Sequence, residues 1–573
     1  MRRVSAKRHF SHTFLPTGFS ILFLILTTGS AQSRTDVGAT TSPANSKTQL
    51  ESGLNSELPG SKCISCHESI VRSYRKTAMG LASGAALDAL IPGEIANASS
   101  GVHYRVFQEN GKAWLEYYRD NAEALHGKQE LIYFIGSGHR GRTYLFSQDE
   151  FVFESPVNWY GHTQTWDMTP AYKTAQRMPL NLPAEVSCLH CHTSGFRPPK
   201  PGTENLYEKP LFAGVGISCE RCHGESGVHA SGGPALNLSK LPSARQDAIC
   251  MQCHLEGSAA IEQPGKHLYD FKPGDDLADY EHYLVLTNEH GANPRAVSQF
   301  EALAQSGCKK KAGDALRCTS CHDPHSSPTA TERYAYYAAK CLACHAEGKS
   351  IKHVQKNRDC ISCHMPTLSS SDVAHTQATD HRILRQPRTP VLSSSEPPNT
   401  KPRLEGFPPQ TPLSERDIAL GWLALEQAGR DFAYAEADLT IPAAAKQYLD
   451  DPAIQSAYAY RELTHKRTAH ARELYEKVLK LDPLNIDAAV NLGVIEAQSG
   501  SPEKALGLWK DAFLRAPWRS VIGYNLAQLE CSVGDSRGAQ ESLRTVLRFN
   551  PDYPEARRLL QGIDNHSLNC GHF

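Results

Sequence analysis

A mainly α protein in two parts is what the sequence predicts: an N-terminal part built on a repeated Cys-x-x-Cys-His motif and carrying a small β-rich insertion, then an α-solenoid. Three observations predict it. Fourteen of the 17 Cys fall in seven copies of that motif between residues 63 and 364. Between the first two copies, "VHYRVFQENGKAWLEYY" alternates apolar and polar residues around Asn110-Gly111, a hairpin signal. After the last copy, Pro483, Pro517 and Pro551 recur at intervals of 34 residues. A chain of 573 residues has room for about three or four domains. Its 60 Lys plus Arg against 61 Asp plus Glu leave a net charge of −1 and no basic footprint for nucleic acid.

Residues 1–31 read as a signal peptide, with Arg2, Arg3, Lys7 and Arg8 ahead of an apolar run from Phe19 to Leu26 and small residues Gly29-Ser30-Ala31 for cleavage. The run is well short of the roughly 20 residues that span a bilayer. The mature chain is therefore expected outside the cytoplasm, in the bacterial periplasm or otherwise exported, with no membrane span. Residues 32–60, rich in Ser, Thr, Gly and Asn without apolar periodicity, read as a disordered linker. The motif-bearing part covers 61–382 and holds the β-rich insertion at 98–160; a Pro/Ser-rich linker follows at 383–413. Setting each recurring Pro near the end of a 34-residue unit puts Leu492-Gly493, Ala505, Trp509 and Ala512 at tetratricopeptide signature positions. Residues 414–564 are accordingly read as tetratricopeptide (TPR) repeats, with Asp417 to Gly429 as a degenerate first helix and 565–573 as a tail.

The chemistry sits in Cys63/Cys66/His67, Cys188/Cys191/His192, Cys219/Cys222/His223, Cys250/Cys253/His254, Cys318/Cys321/His322, Cys341/Cys344/His345 and Cys360/Cys363/His364. Covalent c-type haem needs two thiols for two vinyl groups, and two intervening residues let one tight turn present both, with the adjacent His as proximal iron ligand. A single copy could be half a zinc site or a redox pair. Seven copies, each with its His, imply seven covalently bound c-type haems. The motif starts lie 125, 31, 31, 68, 23 and 19 residues apart, which leaves little chain for a side-chain core. Haems packed together are expected to be that core, so the N-terminal part is expected to fold without the solenoid. Thirteen further His between residues 98 and 381 are enough to close every iron with a second imidazole. His190 is poorly placed for this, inside its own loop; Met79 and Met168 are alternatives.

The stretches "GISCERCHGESGVH", "CTSCHDPH", "DCISCHMP" and "DVAHTQATDHRI" resemble multihaem cytochromes of the cytochrome c-554/c-552 class, and "GSGHRGRTYLF", "WDMTPAY" and the repeat tail resemble a bacterial group of exported multihaem proteins. The resemblance implies that His229, His325, His375 and His381 are distal ligands to neighbouring haems, with His353 a fifth candidate. His139 and His162, from the insertion, are further ones. Every motif ends in His, so the Lys-ligated catalytic haem of pentahaem nitrite reductases is absent. Two readings follow. In the first, the chain carries electrons along mostly bis-His haems while the TPR domain docks a redox partner protein. In the second, it is a multihaem oxidoreductase acting on a small nitrogen or sulfur species at one open haem, with no catalytic residue assigned. Of the Cys outside the motifs, Cys531 and Cys570 fall where adjacent repeats face each other. Either a disulfide or two unpaired thiols fits, the strict geometry of a bridge weighing toward the second; Cys308 is a lone thiol near a haem.

Overall fold

The computed structural model describes residues 60–120, 125–172, 175–178, 180–287, 295–345, 359–370, 376–386 and 401–571. Residues 1–31, read as a signal peptide, nearly all of 32–60, read as a linker, and His353 and His375 lie outside the described residues.

Nine antiparallel strands form the main sheet: β1 (Ser83–Ala85), β2 (Gly93–Asn97), β3 (Val102–Glu109), β4 (Lys112–Arg119), β5 (Leu125–Ile135), β6 (Gly141–Gln148), β7 (Phe151–Glu154), β8 (Val157–Tyr160) and β9 (Thr165–Met168). Their order is β2-β3-β4-β5-β6-β8-β9, with β1 added on β5 and β7 on β6. The alternation read in the sequence is the cause of its two-faced character. Val102, Tyr104 and Val106 of β3 and Ala113, Leu115 and Tyr117 of β4 are buried, and His103 and Arg105 between them face out. Asn110 and Gly111 close the β3–β4 hairpin at φ of 52° and 72°, the positive values a two-residue turn of matching twist requires.

The insertion is larger than expected, since pairing starts at Ser83 rather than near residue 98 and runs to Met168 rather than residue 160. Helices around the haem motifs are short, from four residues at Glu220–His223 to twelve at Ser243–His254. The expectation of a mainly α chain therefore fails for the N-terminal part, which is β-rich. The physical reason is that β1 and β2, three and five residues long, are too short to show a period.

Two smaller sheets lie among the motifs. β10 (Ala259–Glu262) and β11 (Glu281–Leu286) pair with each other; β12 (Thr367–Ser369) and β13 (Gln377–Thr379) form a separate ribbon; and β14 (Leu404–Phe407) pairs with β11. The last strand comes from the segment read as linker, so 383–413 is not linker throughout.

The C-terminal helices are α1 (Glu415–Gln427), α2 (Ala433–Gln447), α3 (Pro452–Thr464), α4 (Thr468–Leu481), α5 (Ile486–Gln498), α6 (Pro502–Arg515), α7 (Ser520–Ser532), α8 (Ser536–Phe549) and α9 (Pro554–Asp564). From α3 on, the first helices of successive pairs start at 452, 486, 520 and 554, the period of 34 again. The degenerate helix of the sequence reading is α1, and it has a full partner in α2. Asp451, Asn485 and Asp535 cap α3, α5 and α8 with their side chains, and Ser414 and Asp417 form a capping box on α1. Gly493 is small because Trp509 lies against it, where an added Cβ would meet the indole nitrogen at 2.3 Å. A disulfide joins Cys531 to Cys570, whose Cα atoms are 4.5 Å apart, so the reading that weighed toward two unpaired thiols is corrected.

The two parts share an apolar core. Phe153 of β7 meets Trp518 and Phe549, and Phe151 meets Phe549 edge-on. Arg119 at the end of β4 makes a bidentate ion pair with Asp552, both buried, and Asp552 also accepts the Met178 backbone N–H at 2.7 Å. At the other end of the array, buried Asp417 of α1 accepts from Gln263 at 3.3 Å and lies 3.0 Å from His282 Nδ1 on β11. Arg416 donates to the Glu262 carbonyl at 2.9 Å.

Candidate haem centres

Each motif folds as one helical turn. The backbone N–H of the motif His donates to the carbonyl of the first Cys in His67, His223, His322, His345 and His364, at 2.8–3.0 Å; His192 and His254 end longer helices. That turn sets two thiols and one imidazole on a common side, the arrangement covalent haem needs. The rings are also not packed away. His67, His223, His254, His322 and His345 present exposed surface.

Three of the distal candidates stand opposite motif histidines. His229 lies 6.3 Å from His67, His325 5.9 Å from His223, and His381 6.2 Å from His322, ring centre to ring centre. A metal–imidazole bond of about 2 Å on each side, with each ring centre about 1 Å behind its nitrogen, requires roughly 6 Å. The residues present therefore fit a six-coordinate haem iron at these three places.

The sequence could not have paired them. His325 follows His322 by three residues yet faces His223, and His229, six residues after His223, faces His67. His381 is carried to His322 by the β12–β13 ribbon, being two residues past Thr379.

Hydrogen bonds hold the other ring nitrogen of these imidazoles. Nδ1 of His229 meets the Gly233 carbonyl at 3.3 Å, Nδ1 of His381 the Thr379 carbonyl at 2.8 Å, and Nδ1 of His325 the Asp323 carboxylate at 3.4 Å. Among motif histidines, His254 Nδ1 meets Gln299 Oε1 at 3.3 Å, His322 Nδ1 meets the Tyr337 hydroxyl at 3.2 Å and His364 Nδ1 meets the Leu384 carbonyl at 2.5 Å. With Nδ1 engaged, Nε2 is the atom that would hold a metal, as in most imidazole sites. Burial lowers the pKa of His192, His223, His254, His322 and His381 below the ordinary value, which keeps the neutral, ligating form.

Other candidates do not face a motif histidine among the described residues. His190 is buried with Arg221 Nη2 at 3.2 Å from both ring nitrogens, and burial lowers its pKa to about 3. Met168 is in the hydrophobic core. His139 and His162 are exposed, and neither makes a ring pair with a motif His among the described residues. Among those residues no such pair forms at His192, His254 or His345 either.

Attachment thiols of different motifs touch. Cys63 lies within interaction distance of Cys219, Cys191 of Cys253, Cys250 of Cys318, and Cys341 of Cys360; Cys222 and Cys321 lie within electrostatic reach of Cys253 and Cys344. The motifs thus run in space as first, third, fourth, fifth, sixth, seventh, and the second joins at the fourth. Cys66, Cys188 and Cys363 are the remaining three of the thiols expected to attach haem. Cys66 is exposed, with the Ser65 hydroxyl 3.8 Å from its sulfur. Cys363 is half-buried in the turn Ile361–His364, and Cys188 donates to Glu154 Oε1 at 3.4 Å. Each belongs to a motif at an end of the run, where the other Cys of the pair, Cys63, Cys191 or Cys360, already meets the neighbouring motif. None of the fourteen is in a disulfide, so both sulfurs of every pair, Cys66 and Cys363 included, keep the form that adds to a vinyl group. Among the described residues no three or more Cys, His, Asp or Glu gather as a metal-ion cluster, unlike a zinc site.

This geometry defines a class, a c-type cytochrome with many haem motifs in contact. Residues 155–224 match the family described as cytochrome c554 and c-prime, and residues 311–350 the doubled CXXCH motif. The multiheme cytochrome MtrA of Shewanella baltica is 27% identical over 29% of this chain and 54% of its own length. The dissimilatory sulfite reductase MccA of Wolinella succinogenes is 27% identical over 27% of this chain and 23% of its own. The chain thus spans about half the length of the first relative and about a quarter of the second. MamA from Desulfovibrio magneticus, a solved structure, is 17% identical with a TM-score of 0.23, covering 26% of this chain and 85% of MamA. The chain thus carries the attachment motifs of a multihaem c-type cytochrome, with two stretches similar to the cytochrome c554 and doubled-motif families, and ends in helices repeating at the 34-residue TPR period.

Proposed function

We propose that the chain is an exported heptahaem electron carrier in which mostly bis-His haems pass electrons along the line of touching motifs, and that the TPR array docks a redox partner protein. The observation that carries this is the set of three imidazole pairs about 6 Å apart on motifs whose attachment thiols adjoin. Bound haem supplies a reversible one-electron iron. The chain's own residues do the rest. His229, His325 and His381 would each hold a haem iron together with the motif histidine they face, which favours electron passage over ligand binding. The carbonyls and carboxylate on their Nδ1 atoms fix ring orientation, so little rearrangement accompanies each electron. Among the described residues no helix is long and apolar enough to cross a membrane; the basic, apolar and small-residue pattern of 1–31 supports export. The ends of the TPR array hold the chain's own N-terminal part, and the first hairpin exposes Phe432, Tyr434 and Leu439 to a partner.

Protein matured by a c-type haem machinery should contain seven haems by pyridine haemochrome and by intact mass; zinc without haem would overturn the reading. The second reading, an oxidoreductase acting on a small nitrogen or sulfur species, draws on His192 and His254, which pair with no second imidazole among the described residues. A high-spin signal that binds nitrite, sulfite or cyanide would favour it.

A further inference from the structure

Beside the fourth and fifth motifs lies a basic face that neither attachment nor ligation uses. Residues 240–247 and 309–317 hold Lys240, Arg245, Lys309, Lys310, Lys311 and Arg317 against two carboxylates, Asp247 and Asp314, in a chain whose charges sum to −1. The fold sets these two distant stretches side by side. Ser243 Oγ donates to Asp314 at 2.8 Å, Arg317 donates to Gln246, and Lys309 Nζ lies 3.6 Å from Asp247. Ser306 caps the helix Gly307–Ala312 by accepting the Lys309 backbone N–H at 3.0 Å, and the last turn, the end that favours positive charge, carries the lysines. Lys309 is turned inward, donating also to the Leu316 carbonyl at 2.8 Å. Lys240, Arg245, Lys310 and Lys311 are exposed, and neither they nor Arg317 make an ion pair with a carboxylate among the described residues. The face adjoins two attachment sites. Arg317 directly precedes Cys318, Arg245 shares the helix Ser243–His254 with Cys250, and Cys318 packs on the apolar cluster that holds Ala248 and Met251 of that helix.

We propose that this face docks a one-electron redox protein of acidic surface, which exchanges electrons with the chain at its fourth and fifth motifs. This rests on the electron-carrier reading and adds a second docking face to the TPR array. Charge complementarity selects the occupant. Exposed cations with no carboxylate of their own attract an acidic face over about a Debye length, roughly 8 Å at physiological salt, and repel a basic one. The attraction also orients the partner, because the cations flank the turn of the fifth motif, where Thr319 and Ser320 are exposed and Cys318 is half-buried. One electron then crosses. The reduced centre on one side is oxidised and the ferric haem on the other becomes ferrous, with no bond made or broken. Since the second motif joins the line at the fourth, electrons taken up here can pass along every branch.

The test mixes the full-length, haem-loaded protein by stopped flow with a reduced plant-type [2Fe–2S] ferredoxin, an acidic one-electron donor, as probe. The second-order rate constant should fall about tenfold as ionic strength rises from about 0.02 M to about 0.5 M. Lys310→Glu with Lys311→Glu should lower the low-salt constant about tenfold and flatten its salt dependence. The milder Lys310→Gln with Lys311→Gln, which adds no negative charge to the helix end, should lower it about threefold. Arg537→Glu with Arg544→Glu, the same charge change at exposed positions of α8, should alter it by less than about twofold. Haem content and midpoints should stay at parent values throughout. Rates equal to the parent's in both lysine variants, with every haem reduced, would overturn the proposal and leave the carrier reading standing. So would altered haem content or midpoints at unaltered rate, since the lysines would then serve haem propionates. Loss of binding to phosphatidylglycerol vesicles with ferredoxin rates intact would overturn it too, making the face a lipid contact. Haems that take no electron from ferredoxin or from dithionite would overturn the carrier reading as well.

Discussion

His229, His325 and His381 each face a different motif histidine, so replacing any one by Ala should turn a single low-spin haem high-spin and leave the others. Electron paramagnetic resonance of the oxidised protein would show it; simultaneous loss of several low-spin signals would mean the residue holds the fold instead. A second single-residue effect concerns Glu281 on β11. Burial, with Glu262 opposite it across the β10–β11 pair, pushes its carboxyl up to about 7 from 4.5. The fold thus binds this proton more tightly than the unfolded chain, and the contribution is largest at acid pH and lost as pH rises from about 4.5 to about 7. Thermal melts of Glu281→Gln should be flatter across that window than those of the parent. At this scale the attachment residues were legible because Cys-x-x-Cys-His is a local pattern. The pairing of His229 with His67, 162 residues apart, was not, since only the fold brings the two together. Gln299 was invisible for another reason, because an amide accepting a proton from an imidazole leaves no sequence signature.

Between elements, Gly493 of α5 fits closely against Trp509 of α6. Gly493→Val should overpack that contact by roughly 1–3 kcal/mol, read as a lower denaturant midpoint with haem spectra unchanged. The solenoid was the most legible element of the chain, because a repeat that must stack on its neighbours writes its small and large residues at fixed intervals. β14 was the least. Four residues in a Pro-rich segment carry no periodicity, and only their register against β11, Tyr283 with Phe407 and Leu286 with Leu404, makes them a strand. A fragment covering 32–400 lacks that strand as well as the solenoid. It should bind haem poorly and be cleaved readily by protease, and a full haem complement in a protease-resistant fragment would show that the shared core is dispensable.

In the whole molecule, the shared core and its polar clamp decide how the two parts behave. Arg119 and Asp552 are both under a tenth exposed, so Arg119→Ala leaves a buried carboxylate and should cost about 3–5 kcal/mol, measured by chemical unfolding. The sequence did not disclose this clamp, because its members lie at a strand end and an inter-helix turn, positions where charge is ordinarily solvated. The clamp is one of two fastenings. α1 is tied to β10 and β11 through Arg416 and Asp417, and the α8–α9 turn is tied to β4 through Asp552. Stacked arrays otherwise gain or lose whole repeats with little penalty, since each unit touches only its neighbours. Here the array is a strut cut to a set span. One more 34-residue unit would carry Asp552 past Arg119, and one fewer would leave it short, so the number of repeats is gauged by the distance between the two ends of the N-terminal part.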